Sequence, residues 1–146
     1  MRRIAMLFAL VAVSASASAQ LRQPGGRPPA VPVLTGIDAL RAEFGAQSGG
    51  TTVYFGANSS QLGAPAAAVL RAQAMWLRRH PEIVVRIEGH GDSSDTRDHA
   101  LAVGARRAQE VRNYLVLLGV PSAQLSATSF GKERPDAGRA VTVLVR

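Results

Sequence analysis

Two stretches of the chain repeat apolar residues at the three- to four-residue spacing of an α-helix. The first covers 65–79 and begins with Pro65, a residue that suits a first helical turn. The second covers 98–118 and is followed by Gly119, a residue typical of helix C-termini. The first apolar side comprises Ala66, Val69, Leu70, Gln73, Trp76 and Leu77, and the second comprises Leu101, Ala105, Ala108, Val111, Leu115 and Leu118.

Four other stretches favour β-strands, because they are rich in β-branched and aromatic residues or alternate in polarity. They are 51–55, 83–88, 125–130 and 139–145. The predicted order is therefore β-α-β-α-β-β. This order indicates an α+β sandwich in which the helices pack on one face of a mixed β-sheet.

The N-terminal part of the chain has a different character. Residues 1–19 combine two arginines, a short apolar run and an Ala-x-Ala sequence before Gln20, which predicts a cleaved signal peptide and export. Residues 20–50 are rich in Pro and Gly and predict a linker with a possible short helix at 37–44. The folded domain is then expected to cover 51–146. No transmembrane segment is expected after cleavage.

Composition narrows the possible functions. The chain has no cysteine, which excludes disulfides, thiolate catalysis and a lipid anchor attached through cysteine. Its formal charge of +7 favours an anionic partner, but the arginines are scattered as on an ordinary solvated surface. No basic aromatic face or nucleic-acid-binding motif is present, so no nucleic-acid partner is expected.

The most distinctive chemistry lies in the loop before the second helix and in that helix. Asp92 follows the second strand, and Arg107 comes 15 residues later. Neither Arg106 nor Arg107 is on the predicted apolar stripe, and only one of them can easily face the loop. A carboxylate beside a guanidinium can bind a ligand that carries both an ammonium and a carboxylate group. The same pair can instead form a salt bridge that fixes the loop.

The region 51–146 resembles the OmpA-like peptidoglycan-binding domain family. The family pattern G-H-[TA]-D, followed by L-[SG]-x-R-R-A-x-x-V-x-x-Y-L and a Gly-Val turn, has its counterparts in the segments 89–92, 103–115 and 119–120. Phe55, Asn58, Ser59 and Leu62 match a further family pattern after the first strand. The resemblance implies non-covalent binding of peptidoglycan in the periplasm of a Gram-negative bacterium. It implies neither enzymatic activity nor a cofactor.

The resemblance also implies a ligand and a set of contacting residues. The diaminopimelate of the peptidoglycan stem peptide would place its ammonium on Asp92 and its carboxylate on Arg107, the second arginine of the motif. The full set of expected peptidoglycan-binding residues is Asp92, Arg107, Phe55, Asn58, Gly91, Ser93, Asp95 and His99.

This chain departs from the family pattern near the expected site. Asp95 replaces a common Gly, His99-Ala100 replaces Tyr-Asn, and Val103 replaces Leu. The segment after Pro135 is shorter than in most members. These differences leave two alternatives open: a domain that has lost the ligand and binds another protein, and a metal-dependent enzyme using His90, Asp92, Asp95 and His99. A partner protein of the cell envelope joined through the N-terminal linker is also possible.

Overall fold

The computed structural model describes residues 36–134 and 138–145. The predicted signal peptide, the linker up to residue 35 and Pro135 lie outside the described residues. The elements follow the order α1 (Gly36–Gln47), β1 (Thr52–Tyr54), α2 (Ala64–Arg79), β2 (Val85–His90), α3 (Arg97–Leu117), a 3-10 turn (Ser122–Gln124), β3 (Leu125–Gly131) and β4 (Arg139–Leu144). The predicted β-α-β-α-β-β order after α1 is confirmed.

The four strands form one mixed sheet in the order β1-β4-β2-β3. β4 pairs antiparallel with both β1 and β2, whereas β2 and β3 are parallel. A parallel pair requires a crossover between its strands, and α3 supplies it. The carboxyl ends of β1, β2 and β3 therefore lie at the same edge of the sheet, next to the start of β4.

The helices pack on one face of this sheet, as predicted. Leu70, Trp76 and Leu77 of α2 are fully buried and share a core with Val85 and Ile87 of β2. Within the predicted apolar side of α2, the polar Gln73 is also buried, because its Oε1 accepts a hydrogen bond of 2.9 Å from Thr142 Oγ1. A buried amide with a partner costs little to desolvate.

The helix expected at 37–44 is observed as the longer α1. Phe44 in this helix is fully buried, and its ring contacts that of Trp76 edge to face at a centroid distance of 5.1 Å. Arg41 Nη2 donates a hydrogen bond of 3.0 Å to the carbonyl of Leu144 at the end of β4. Residues before Thr51 therefore contribute to the core of the domain.

The predicted buried face of α3 is wrong in the first half of the helix. Leu101 and Ala105 are exposed, whereas Ala100, Val103, Gly104 and Arg107 are buried. The buried face continues through Ala108, Val111 and Leu115 as expected. The hydrophobicity pattern predicted the wrong face for the first half of α3, because the residues that face the sheet there are small or cationic.

Glycines allow α3 to lie against the end of β2. A β-carbon on Gly89 would collide with the carbonyl oxygen of Gly104, and one on Gly104 would lie 2.5 Å from Ser129 Oγ. A β-carbon on Gly91 would lie 2.5 Å from Ala100 Cα. Only glycine permits such backbone contact. The helix consequently carries Arg107 directly beneath the loop that follows β2.

The predicted end of β2 needs correction. β2 extends to His90, so Gly89 and His90 belong to the strand and not to the loop. In β4 the buried residues are Ala140, Thr142 and Leu144, on the face opposite the valines. No helix in the described part of the chain is long and apolar enough to cross a membrane.

Candidate functional site

Three segments meet at the sheet edge described above: 55–60 after β1, 91–96 after β2, and the described residues between β3 and β4, which are 132–134 and 138. Backbone hydrogen bonds join them. The N–H of Gly91 donates to Gly131 O at 2.8 Å, and the N–H of Gly138 donates to Gly91 O at 3.0 Å. The N–H of Phe55 donates to Gly138 O at 2.9 Å. Backbone hydrogen bonds therefore hold the loops at this edge in a fixed arrangement, which suits a binding site that must keep its shape.

Arg107 reaches these loops from α3 and is completely buried. Its guanidinium donates to four oxygens at 2.8–2.9 Å: Ser59 O, His90 O, Gly56 O and Asp92 Oδ1. Its Cζ also lies 5.4 Å from the centre of the Phe55 ring. A buried guanidinium needs several such partners to offset its desolvation. Arg107 thus fixes the loop after β1 and the loop after β2 relative to each other.

Asp92 is the anionic partner of Arg107 and is mostly buried. Its Oδ1 accepts from Arg107 Nη1 at 2.9 Å, and its Oδ2 accepts from the N–H of Asn58 at 2.7 Å. Burial alone would raise the pKa of Asp92, but the hydrogen bonds from Arg107 and Asn58 and the nearby positive charge outweigh it and hold the pKa below its ordinary value. Asp92 is therefore a carboxylate at neutral pH.

Asn58 and His99 form the outer side of the same site. Asn58 has a φ of 51°, a left-handed conformation that asparagine tolerates better than most residues, and this directs its N–H to Asp92. His99 Nε2 lies 3.1 Å from Asn58 Oδ1 and 3.7 Å from Asp95 Oδ2. Lys132 Nζ donates to the carbonyl of Asp95 at 2.6 Å. The β3–β4 connection thereby contacts the loop after β2.

Five of the eight expected residues contact one another in the structure through side chains or through a backbone N–H. They are Asp92, Arg107, Asn58, Asp95 and His99. The half-buried Phe55 lies beside Arg107. Gly91 contributes through its backbone and its missing side chain, and Ser93 is exposed in the loop. Arg106, the neighbour that the motif comparison set aside, is exposed.

The residues proposed for a metal site do not converge. The His90 ring stacks on Phe130 at a centroid distance of 5.9 Å, whereas Asp92 faces Arg107. Within 36–134 and 138–145, no three His, Asp or Glu side chains are placed to hold a metal ion. The hypothesis of a metal-dependent enzyme has no support in this part of the chain.

Several participants in the site were not foreseen. Thr96 is the N-cap of α3, and its Oγ1 accepts from the N–H of His99 at 3.3 Å. A Thr immediately before a helix is a readable signal for an N-cap. The carbonyls of Gly56, Ser59 and His90, in contrast, could not be identified from sequence, because every residue has a carbonyl.

Comparison with known proteins supplies the family. Residues 54–143 match the OmpA family model. The chain is 42% identical over 106 residues to the peptidoglycan-associated lipoprotein of Rhizobium meliloti, covering 65% of this chain but only 60% of that protein. It is 37% identical over 144 residues to the protein of the same name from Pseudomonas aeruginosa, covering 89% of this chain and 84% of that one.

Solved structures agree. The crystal structure of the peptidoglycan-associated lipoprotein from Burkholderia pseudomallei matches with a TM-score of 0.64 and 33% identity, over 66% of this chain and 92% of that chain. The C-terminal domain of Helicobacter pylori MotB matches with a TM-score of 0.60 at 20% identity, over 65% of this chain and 84% of that one, which shows a shared fold. The sequence match, the fold and the Asp92–Arg107 pair lead to one conclusion: the chain belongs to the OmpA family.

Proposed function

We propose that this domain binds peptidoglycan non-covalently and so attaches the protein that carries it to the cell wall. The observation that carries the proposal is the Asp92–Arg107 pair at the meeting point of three segments in an OmpA-family domain. The names of the relatives, peptidoglycan-associated lipoproteins, point to the same ligand. Family membership also supports the prediction of a binding domain and not an enzyme.

The ligand group is the side-chain end of diaminopimelate, which carries one ammonium and one carboxylate. Asp92 is ionised and retains some exposure to solvent, so it attracts the ammonium. Arg107 supplies positive charge for the carboxylate. One of its five N–H groups has no partner among the described residues, since four are engaged by Gly56, Ser59, His90 and Asp92. The N-terminus of α3 adds positive potential beside the loop.

Because Arg107 is completely buried, the ligand carboxylate reaches it only if the loop after β1 moves. Release of the Ser59 or Gly56 carbonyl would free donors for the ligand without moving α3. In the observed arrangement, therefore, Arg107 acts chiefly as the residue that holds Asp92 and the loops in place. In the bound site it also compensates the charge of the ligand carboxylate.

The remaining expectations follow from this function. A peptidoglycan-binding domain works in the periplasm, where the predicted signal peptide at 1–19 would deliver it. The segment 20–35 would then connect the domain to another envelope component. Neither expectation depends on the geometry of the site.

The proposal is tested by co-sedimentation of the protein beginning at Gln20 with purified diaminopimelate-type sacculi. We expect the parent to sediment with the sacculi and Asp92→Asn to remain largely in solution. Asp98→Asn removes the same charge from an exposed position on α3 and is the matched control. If the parent does not sediment, the domain has kept the fold without this ligand, and the alternative of a protein-binding domain takes its place.

A further inference from the structure

The carboxyl ends of α2 and α3 lie together at the end of the sheet opposite the candidate site. Each helix leads from the carboxyl end of one strand to the start of the next parallel strand, so both helices finish at this opposite end. Gln124, just before β3, is joined there to the segment after α2, because its Nε2 donates hydrogen bonds of 2.9 Å to the carbonyls of His80 and Ile83. Arg78 of α2 lies beside Gly119 after α3, since a β-carbon on that glycine would be 3.5 Å from Arg78 Nε. The two helix ends therefore form one surface.

Exposed apolar side chains are concentrated at this end of the domain. Among the described residues, six large apolar side chains are exposed, and four of them lie here. Met75 lies near the end of α2, Val116 and Leu117 end α3, and Val145 follows β4. Leu117 is 79% exposed and Met75 is 65% exposed, so both project from the surface and do not line a groove. Projecting apolar side chains are stabilised when they insert into an apolar phase.

Four arginines accompany these apolar residues. Arg71 and Arg78 lie on the exposed side of α2 with Met75, at the three- to four-residue spacing of one helix face. Arg79 ends the same helix, and Arg112 of α3 donates from Nε to a backbone carbonyl of β3 at 3.3 Å. Within the described residues, none of the four forms an ion pair with a carboxylate. Their charges are therefore available to a partner.

Acidic residues compensate only part of this charge. Residues 64–82 carry three arginines and one acid, Glu82, and in α3 the charge of Arg112 is offset by Glu110. α1 contacts this end through a hydrogen bond of 3.0 Å from Arg79 Nη2 to Gln47 Oε1, and it has one more acid than arginine. The segment 20–35 precedes α1 in the chain and adds two arginines and no acid. The total charge is positive, which favours an anionic partner.

We propose that this helix-end surface, which comprises Met75, Arg78, Arg79, Val116 and Leu117, docks on an anionic phospholipid membrane. Exposed apolar side chains insert at the boundary between lipid head groups and acyl chains, and arginines beside them attract anionic head groups. An acidic protein surface would match the arginines but not the projecting Leu117, which needs an apolar phase. The proposal goes beyond peptidoglycan binding and does not depend on it, because the helix-end surface and the candidate site lie at opposite ends of the domain.

Co-sedimentation with lipid vesicles tests the proposal, using the protein beginning at Gln20. Vesicles of equal parts phosphatidylethanolamine and phosphatidylglycerol supply the anionic surface, and vesicles of phosphatidylcholine supply a neutral one. We expect the protein to partition onto the anionic vesicles only, and less as the salt concentration rises, because salt screens the attraction. Arg78→Gln combined with Arg79→Gln should lower the partition coefficient at least about tenfold, since each arginine near such a surface contributes about fivefold.

Matched variants separate this surface from the overall charge and hydrophobicity of the protein. Arg97→Gln combined with Arg106→Gln removes the same charge from exposed positions in the first half of α3 and should lower the partition coefficient by less than about threefold. Leu117→Gln should lower it about threefold or more, because apolar area is lost from the docking surface. Leu101→Gln, at an exposed position near the start of α3, should leave it unchanged. All exchanged side chains are exposed, so each variant should keep the melting temperature of the parent.

The outcomes decide the assignment. If the parent stays in solution with the anionic vesicles, the membrane proposal is wrong, and an acidic protein becomes the partner to seek. If the two pairs of arginine substitutions have equal effects, binding follows net charge alone and the assignment of the helix-end surface is wrong. Losses confined to Leu117→Gln and to Arg78→Gln with Arg79→Gln support it. Asp92→Asn should bind vesicles as the parent does, so vesicle binding and sacculus binding can fail independently.

Discussion

Arg107 and Asp92 are joined by a hydrogen bond of 2.9 Å in which the arginine is completely buried and the aspartate keeps limited exposure. The two partners therefore have different roles. Arg107 is held by three backbone carbonyls as well as by Asp92, and it organises the protein. Asp92 keeps some exposure to solvent, and in the proposed function it presents its charge to the ligand.

The first prediction concerns the two adjacent arginines of α3. Arg107→Ala leaves four oxygens without their donor, and we expect it to lower the free energy of unfolding by about 3 to 5 kcal/mol. Arg106 is exposed, so Arg106→Ala should change the free energy of unfolding by less than about 0.5 kcal/mol. Urea titration of both variants measures the difference. A larger loss in Arg106→Ala would contradict the assignment of Arg107 as the organising residue.

The second prediction is a pH dependence that arises from Asp92. Its folded-state pKa is below the ordinary value of 3.8, so its contribution to stability is complete above that value and is lost as the pH falls through the folded-state pKa. At pH 7 we expect Asp92→Asn to be less stable than the parent by about 1 to 2 kcal/mol. The difference should shrink below pH 3.8, which denaturant titrations at pH 7, 5 and 3 would measure. An equal difference at all three values would show that the charge of Asp92 contributes nothing.

The third prediction concerns the backbone contact between Gly91 and Ala100. Gly91→Ala places a β-carbon against the backbone of α3, so the helix or the loop must move. We expect a loss of about 1 to 3 kcal/mol in the free energy of unfolding, with weaker sacculus binding because the loop that carries Asp92 shifts. Gly45 provides the control, since a β-carbon there makes only an ordinary contact with Thr51. Gly45→Ala should stabilise the protein by about 0.5 to 1 kcal/mol through better helix propensity.

The fourth prediction tests whether α1 is part of the folded domain. Phe44 is fully buried against Trp76, so Phe44→Ala should lower the free energy of unfolding by about 3 to 5 kcal/mol. Leu40→Ala, at a partly buried position in the same helix, should cost clearly less. Thermal melts followed by the fluorescence of Trp76, the only tryptophan, report both effects at the contact itself. Equal, small losses would place the domain boundary at Thr51, as the composition of the linker predicts.

The sequence predicted the element order because the two helices carry a clear apolar period and the four strands are rich in β-branched and aromatic residues or alternate in polarity. It also paired Asp92 with Arg107, since the family motif preserves their spacing. It misplaced the first half of the buried face of α3, where Gly104 and Arg107 face the sheet in place of apolar side chains. A hydrophobicity pattern does not predict a helix that packs against the sheet through glycine. It also does not predict an arginine that is buried because backbone carbonyls accept its hydrogen bonds.

The site itself was only partly predictable, for a related reason. The residues with distinctive side chains, such as Asp92, Asp95 and His99, were identified. The partners that immobilise Arg107 are carbonyl oxygens, and their positions depend on the path of two loops 30 or more residues apart in the chain. Which oxygens converge on His99 Nε2 is likewise a property of the folded loops and not of any one segment.

The position of β4 has a consequence for how the domain forms. The last strand of the chain lies between β1 and β2, and its pairing with β1 joins Thr52 to Val141. Until β4 arrives, β1 has no neighbour in the sheet, and the loops after β1 and β2 have no common frame. Such long-range pairing slows folding, because loop closure precedes the contacts that reward it. Pairing of β4 therefore determines when the loops around Asp92 and Arg107 first come together, and a chain cut short before Arg139 would leave β1, and with it Asn58, unplaced.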